Sequence, residues 1–440
     1  MFTALPRTFK SLYTLLFSIL MGAVSVLVNP AATNAEMPQA PDDFTPVVRF
    51  AVTSDIHIKE EENNVETRRW AAMIDKSYEL AQSDAQYPYL DAVCVAGDYT
   101  NNGSPLEYAK FKAVADNHIH TGTKLITAIG NHEFGYAGGG VYALHREVLG
   151  AEPDVHEVIN GFHFVAVSYS QTGGVFGFDK QAWLAQQLKQ AKSDKPDYPI
   201  FVFQHPHPFG TVYGSVQWGS PDLNGVYSLY PQVVSFSGHS HYAMGDPRSI
   251  WQGSFTALGT GSLSYMENEN ELEDGQFPEG YRDVVQFYIV EADANGSVRI
   301  RCYDLTADCW FGETYFIEKP ADKNGFAYTY ANRMRADQPP IFAGGAALTV
   351  AKGADGSYSV GFPAASDRFV VHDYKIKVTS GAKTVFSQSI LSGYYIHPSP
   401  ADYTVDIGPL ETGKEYRMTV MAANAYAELS KPLTLAFAAQ

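Results

Sequence analysis

Several short apolar runs in the first half of the chain end in small polar clusters rich in aspartate, asparagine and histidine. β-Branched and aromatic residues are frequent in these runs, which favours buried strands. Ligands of open α/β sheets bind beyond the carboxyl ends of the strands, so such clusters can meet in one crevice. The pattern therefore predicts a layered fold with one polar site at a sheet edge. The runs and clusters are Val47–Thr53 with Asp55 and His57, Leu90–Ala96 with Asp98, Leu125–Ile129 with Asn131 and His132, Ile200–Phe203 with His205, and Val233–Phe236 with His239 and His241.

Helical spacing of apolar residues occurs between several of these runs. One apolar helix face consists of Trp70, Met73, Ile74, Tyr78 and Ala81, and another of Leu184, Leu188 and Ala191. Strands that alternate with helices indicate an α/β domain. We place this domain at residues 47–320.

The last part of the chain shows strand patterns and no helical ones. Residues 321–340 are predicted to be a linker, and residues 341–440 a β-sandwich. Within Gly-Pro-Leu-Glu-Thr-Gly-Lys-Glu-Tyr, Leu410 stands six residues before Tyr416. This segment resembles a fibronectin type III module, and the resemblance makes Tyr416 its tyrosine corner. The seven candidate strands are Ala347–Ala351, Tyr358–Phe362, Asp373–Val378, Lys383–Ile390, Tyr403–Ile407, Glu415–Ala422 and Pro432–Phe437.

The N-terminus has the pattern of an export signal. Arg7 and Lys10 precede an apolar run over residues 11–28, and small residues follow up to Ala35. We interpret residues 1–35 as a cleaved signal peptide, which predicts a secreted or cell-envelope protein with no stable membrane span after cleavage. An uncleaved anchor is the alternative, since the run is long enough to begin spanning a bilayer. In an oxidising compartment Cys302 and Cys309 either form a short disulfide or remain free thiols.

The composition excludes one class of partner. The chain has 31 basic and 48 acidic residues, a net charge of −17. Such a protein repels the phosphate backbone of nucleic acids at long range, so we expect no nucleic-acid backbone binding. Any chemistry on phosphate would need local positive charge, which metal ions can supply.

The polar clusters supply oxygen and imidazole donors and no thiolate. This donor set suits Mn, Fe, Zn, Co or Mg better than copper or a thiolate site. Two ions that share one bridging carboxylate need about seven or eight protein donors. The clusters supply seven, with Asp98 able to bridge: Asp55, His57, Asp98, Asn131, His205, His239 and His241.

The complete set of motifs resembles the calcineurin-like metallophosphoesterase superfamily. The resemblance rests on Asp55-x-His57, Gly97-Asp98-(x)₄-Gly103, Gly130-Asn131-His132-Glu133, His205 and Gly238-His239-x-His241. It implies an α/β fold whose two-sheet β core, flanked by helices, holds two divalent metal ions. By motif position, one ion is held by Asp55, His57, Asp98 and His241, and the other by Asp98, Asn131, His205 and His239. The purple acid phosphatase branch fits less well, because its pattern has glycine where His57 stands.

The resemblance also implies a reaction. A metal-bridging hydroxide would attack phosphorus, with Asn131 close to the phosphoryl oxygens and His132 as the general acid for the leaving group. His207, Tyr99 and Asn101 flank the motifs and are candidate substrate contacts.

These features predict an exported phosphoesterase that acts on a phosphate ester, with a phosphodiester favoured. A phosphomonoesterase or nucleotidase is one alternative. Another is an envelope-binding protein that keeps the fold and the metals without turnover. The C-terminal sandwich would then be a spacer, a packing partner or a contact to the cell envelope.

Overall fold

The computed structural model describes residues 36–171, 174–269 and 277–440, and the predicted signal peptide lies outside these residues. Its strands are β1 (Pro46–Thr53), β2 (Ala92–Ala96), β3 (Lys124–Ala128), β4 (Val155–Ile159), β5 (Phe162–Ala166), β6 (Ile200–Phe203), β7 (His207–Pro208), β8 (Gly219–Ser220), β9 (Val233–Ser237), β10 (Ile250–Gln252), β11 (Thr256–Gly259), β12 (Gln286–Asp293), β13 (Val298–Asp304), β14 (Cys309–Ile317), β15 (Ile341–Phe342), β16 (Thr349–Lys352), β17 (Ser357–Pro363), β18 (Ala365–Ser366), β19 (Val371–Ser380), β20 (Lys383–Leu391), β21 (Asp402–Pro409), β22 (Glu415–Asn424) and β23 (Leu433–Ala438). The α-helices span Val65–Gln82, Pro105–His118, Phe134–Ala137, Val141–Leu149, Phe178–Asp194, Ser215–Trp218, Asn224–Tyr227 and Tyr330–Ala336.

Two six-stranded sheets build the first part of the protein. The order of the first is β14-β13-β12-β1-β2-β3, and that of the second is β10-β11-β9-β6-β5-β4. β1, β2 and β3 are parallel to one another, and so are β5, β6, β9 and β11. All five apolar runs with polar ends are therefore parallel strands, and their carboxyl ends lie at one edge of each sheet.

The two sheets pack face to face through aromatic side chains. The buried ring of Phe50 on β1 lies 4.9 Å from Phe164 and 4.7 Å from Phe201 on the second sheet. The helices Val65–Gln82 and Pro105–His118 cover the outer face of the first sheet, and helix Phe178–Asp194 covers that of the second. Each buried aromatic side chain contributes about 1.5–3 kcal/mol, so this interface stabilises the packing of the two sheets. The predicted α/β fold, a two-sheet core flanked by helices, is confirmed.

A helix cap fixes the loop that follows β2. Ser104 accepts a hydrogen bond from the Glu107 N–H, and the Glu107 carboxylate accepts one from the Ser104 N–H, with Pro105 at the first helical position. This capping box sets where helix Pro105–His118 begins. The Glu107 carboxylate also accepts from the Asn102 N–H, so the loop after Asp98 is tied to the helix.

The C-terminal part is a β-sandwich, and each of the seven strands expected from the sequence is present. β16-β17-β21 and β20-β19-β22-β23 form its two sheets, which enclose a core of their own. The Glu411 N–H donates to the hydroxyl of Tyr416 over 3.0 Å, as a tyrosine corner requires.

The predicted linker at 321–340 is not a simple extended spacer. It contains helix Tyr330–Ala336, and the buried side chain of Arg333 reaches back to the first part of the protein. Arg333 donates to the Pro247 carbonyl oxygen over 2.9 Å and to the Glu313 carboxylate over 2.6 Å. These bonds hold the linker against the two-sheet core.

Two further features bear on the expectations from the sequence. Cys94, Cys302 and Cys309 are all free thiols. Within the part of the chain that the structure describes, no helix is both long and apolar enough to cross a membrane.

Candidate metal centre

Six ionisable side chains from the polar clusters converge in two neighbouring groups. Asp55, His57 and His241 form one group, and Asp98, His205 and His239 form the other; within each, the ligand atoms all lie within 4.8 Å of one another. His241 Nε2 is 3.1 Å from Asp55 Oδ1 and 3.2 Å from His57 Nε2. His205 Nε2 is 2.9 Å from Asp98 Oδ2. The structure thus brings together ligand residues that span 187 positions of sequence between Asp55 and His241.

Several polar atoms in these groups are buried without a hydrogen-bond partner. They are Asp55 Oδ1, His57 Nδ1 and His205 Nε2, and Asn131 Oδ1 beside the groups is buried without a partner as well. A buried polar atom without a partner is costly, whereas a bound cation would satisfy it. Two atoms that ligate one ion at 2.0–2.2 Å lie about 3–3.5 Å apart, as the short contacts in both groups do. The seven predicted ligands therefore fit divalent cations, and Asn131 contributes to the fit through its unpartnered oxygen.

Hydrogen bonds outside the cluster aim the ligand atoms inward. His205 Nδ1 donates to the Ala96 carbonyl oxygen over 2.9 Å, and His241 Nδ1 donates to that of Tyr265 over 3.0 Å. These bonds leave Nε2 of each ring as the ligand atom. Each carboxylate similarly uses one oxygen to accept a backbone N–H. Asp55 Oδ2 accepts from His239 over 3.0 Å, and Asp98 Oδ1 accepts from His132 over 2.9 Å.

The backbone at the cluster is unusual. Five of the ligand residues have left-handed backbone angles, with φ between 51° and 77°; they are Asp55, His57, Asp98, His239 and His241. Non-glycine residues seldom adopt this conformation, and each instance costs about 1–3 kcal/mol. Such strain is concentrated at functional sites, and here it bends the chain where the strands end.

Two glycines of the motifs allow the carboxylates of Asp98 and Asp55 to lie close to the backbone of neighbouring loops. A Cβ atom at Gly130 would lie 2.2 Å from Asp98 Oδ1, and one at Gly238 would lie 2.2 Å from Asp55 Oδ2. Any other residue would therefore displace a ligand. The close approach explains physically why glycine precedes Asn131 and His239.

Burial and mutual attraction set the protonation of the cluster. Burial raises the pKa of Asp98, but the neighbouring His205 outweighs it and holds this pKa at about 2. Burial lowers the pKa of His205, yet the charges of Asp98 and Asp55 raise it to about 9. Burial, reinforced by His205, lowers the pKa of His239 to about 3. The lowered pKa of His239 favours its neutral imidazole, the form that ligates metals.

His132 lies on the open side of the centre, with 39% of its side chain exposed. Its Nδ1 donates to the Asn101 carbonyl oxygen over 2.6 Å, and its Nε2 lies 3.9 Å from Asp98 Oδ2. The ring packs edge-on against His57, with centroids 4.5 Å apart. His132 is thus held in one orientation, with Nδ1 bonded and Nε2 near the Asp98 carboxylate.

Two of the predicted substrate contacts lie in the interior, and that prediction is corrected for both. His207 is buried, and its two ring nitrogens are each 2.8 Å from a serine hydroxyl, Ser237 on one side and Ser240 on the other. Tyr99 is fully buried, and its hydroxyl bonds to Tyr108 and His145. Neither side chain reaches the open side.

Asn101, the third predicted contact, is partly exposed and accepts the His132 bond through its backbone. The backbone carbonyl of Asn101 therefore helps to orient the His132 ring.

Sequence reasoning missed three contributors. The buried Glu133 carboxylate accepts from the N–H groups of Asp98, Thr100 and Gly130, and so joins two motif loops. Burial and the charge of Asp98 raise the pKa of Glu133 to about 8. Its place in Gly-Asn-His-Glu was the available signal.

The other two are aromatic side chains at the rim of the site. The ring of Tyr265 lies 4.3 Å from that of His241, and the ring of Trp218 lies 5.4 Å from that of His239. Neither residue belongs to a motif, so the sequence offered no signal for them.

The position of His207 leads to a prediction about metal affinity. Ser237 and Ser240 flank His239, so His207→Phe should loosen this ligand loop while filling the same space. Loss of such an outer contact typically weakens metal binding 10–100-fold, and we expect a decrease of about that size. Competition with a chromogenic chelator measures it. His163→Phe is the matched control, because His163 is buried and bonded at both nitrogens but lies on β5. Unchanged affinity in His207→Phe, or an equal loss in the control, would contradict this role.

The comparisons with known proteins agree with the site. The sequence pattern of the family described as Calcineurin-like phosphoesterase matches residues 48–243, a range that contains all seven candidate ligands and His132. The UPF0046 protein K07C11.7 of Caenorhabditis elegans is 26% identical over 227 residues, which cover 47% of this chain and 68% of that protein.

Two solved structures are also similar. The structure of PhoD is 11% identical, covers 63% of this chain and 69% of its own, and has a TM-score of 0.39. Purple acid phosphatase PPD1 from yellow lupin (Lupinus luteus) seeds is 14% identical, covers 66% of this chain and 55% of its own, and has a TM-score of 0.45. The family match and the cluster of ligands together identify residues 48–243 as a calcineurin-like phosphoesterase domain and the protein as a metal-dependent phosphoric ester hydrolase.

Proposed function

We propose that the protein is an exported phosphodiesterase with a dinuclear metal centre. The pattern of residues 1–35 supports export to the cell envelope or beyond. The groups Asp55-His57-His241 and Asp98-His205-His239 support two ions, and Asp98 also groups with His57, which supports its carboxylate as the shared ligand. Mn, Fe and Zn all suit these donors.

The bound cations would supply a nucleophilic water at neutral pH and positive charge for the phosphoryl oxygens. The protein supplies orientation and a proton. Asn131 offers its Oδ1 to the cluster, which leaves its amide N–H groups as donors to a phosphoryl oxygen. His132 keeps Nδ1 bonded to Asn101, so a proton at its Nε2 faces the leaving oxygen.

The charge around the centre favours a diester. The strongest electrostatic influences on the six ionisable ligands come from one another and, at His241, from Glu267; none of them is a lysine or an arginine. A phosphodiester carries one negative charge and a monoester up to two. Among the described residues, the main influences on the ligands include no lysine or arginine, and Glu267 adds negative charge near His241, which suits the singly charged ester better.

The first test compares the two ester classes. The chain from Glu36 onward, loaded with Mn²⁺, should hydrolyse bis(p-nitrophenyl) phosphate with a higher kcat/KM than p-nitrophenyl phosphate. EDTA should abolish both activities, and Mn²⁺ should restore them. A preference for the monoester would instead indicate a phosphatase or nucleotidase. Absence of turnover with metal bound would favour a binding protein on this fold.

The second test addresses the proton donor. We expect His132→Ala to lower kcat/KM for diphenyl phosphate about 10²–10⁴-fold, the usual contribution of a general acid. The loss should be much smaller for bis(p-nitrophenyl) phosphate, because p-nitrophenolate leaves readily without a proton. Metal content should not change. His118→Ala, which alters a histidine at the far end of helix Pro105–His118, is the control. Equal losses on both esters would argue against proton donation by His132.

A further inference from the structure

The C-terminal sandwich packs against the active-site end of the first domain. The loop between β20 and β21 lies on the segment that leads into β12, and together they enclose a small apolar cluster. Its members are Ala243, Met266 and Val284 from the first domain, and Leu391, Tyr394 and Tyr395 from the sandwich. This cluster adjoins the ligand loop, since Ala243 follows His241 by two residues.

One series of contacts, here called the first line, connects Tyr395 of the sandwich with the ligand His241. The Tyr395 hydroxyl donates to the Glu279 carbonyl oxygen over 3.1 Å. Ile396 packs on Gly280, where a Cβ atom would lie only 3.1 Å from its side chain. The next residue, Tyr281, accepts a hydrogen bond from the Met266 N–H over 2.8 Å. The bond from Tyr395 therefore fixes the segment that contains Glu279 and Tyr281, and this segment in turn accepts the Met266 N–H.

The aromatic rings of this segment continue the line. Tyr281 lies 4.9 Å from Phe277, Phe277 lies 5.7 Å from Tyr265, and Tyr265 lies 4.3 Å from His241. Phe277 is 50% exposed, although it lies between two other rings at the mouth of the centre. Tyr265 and Phe277 thus form an aromatic rim beside the ligand His241.

A second line starts at His372 on β19. Its Nε2 lies 3.3 Å from the Tyr213 hydroxyl, and the ring of Tyr213 lies 4.6 Å from that of Tyr242. Tyr242 follows His241 directly. Tyr213 also leads into helix Ser215–Trp218, whose Trp218 ring contacts His239. The first line therefore ends at His241, and the second ends at His239 and at the residue that follows His241, so both reach the ligand loop and the aromatic rim beside it.

We propose that the C-terminal sandwich is a positioning module of the phosphoesterase site, with Tyr395 and His372 as the residues that hold the aromatic rim of Tyr265, Phe277 and Trp218 over the metal centre. This inference rests on the proposed function, because the rim matters for the binding of an ester. It assigns the sandwich a role in substrate binding within the chain and requires no outside partner.

Tyr395→Phe in the full chain tests the proposal. The variant removes only the hydroxyl that bonds to Glu279. We expect KM for bis(p-nitrophenyl) phosphate to rise about five-fold, the equivalent of one ordinary hydrogen bond, with kcat and metal content unchanged. Amide hydrogen exchange should accelerate in residues 277–284 and remain the same in β1, β2 and β3.

Tyr416→Phe is the matched control. It removes one hydroxyl from the same domain, where the Tyr416 oxygen accepts from Glu411, away from the contact with the first domain. If KM rose as much in the control as in Tyr395→Phe, the effect would reflect a general loss of stability, and the proposal would be overturned. So would unchanged exchange in residues 277–284. Because exchange needs no turnover, it tests the contact even if neither ester is a substrate.

Discussion

The left-handed backbone at the ends of three parallel strands, β1, β2 and β9, is the constraint on which the site depends. In an extended strand, residues i and i+2 share a face but lie about 7 Å apart, so a chain that simply ran on would not direct both members of Asp55-x-His57 or His239-x-His241 to one point. Positive φ angles at these residues bend the chain at the sheet edge. At about 1–3 kcal/mol each, these conformations persist only because the strands behind them are fixed by the packing of the two sheets.

The same geometry resolves the charge problem of an acidic protein that acts on phosphate. Asp55 and Asp98 are buried together, which is unfavourable unless positive charge lies nearby. Four imidazoles and the unpartnered oxygen of Asn131 surround them, and the residual demand for positive charge is what divalent cations meet. Bound cations would therefore make the local charge at the site positive, although the net charge of the chain is −17.

The sequence was informative wherever a polar motif directly followed a strand. Asp55, Asp98 and His205 were identifiable because apolar runs end beside them, and the same runs predicted the strands. The prediction for Tyr99 failed because the partners that bury its hydroxyl, Tyr108 and His145, lie 9 and 46 positions away in sequence. His207 was misjudged because the serines that bind it lie 30 or more positions away.

Contacts between distant segments could not be foreseen for the same reason. Tyr265 meets His241, and Tyr395 meets Glu279, across 24 and 116 positions of sequence. Nothing in the local pattern marks either tyrosine as part of the site, because only the docking of the sandwich and the return of the chain after β11 bring them there.

The most direct test of the account is the anomalous scattering of crystals grown from Mn²⁺-loaded protein. We predict two peaks about 3.5–4 Å apart. One should lie among Asp55, His57 and His241, and the other among Asn131, His205 and His239, with Asp98 between them. A single peak, or two peaks that do not share Asp98, would contradict the dinuclear centre and the function built on it.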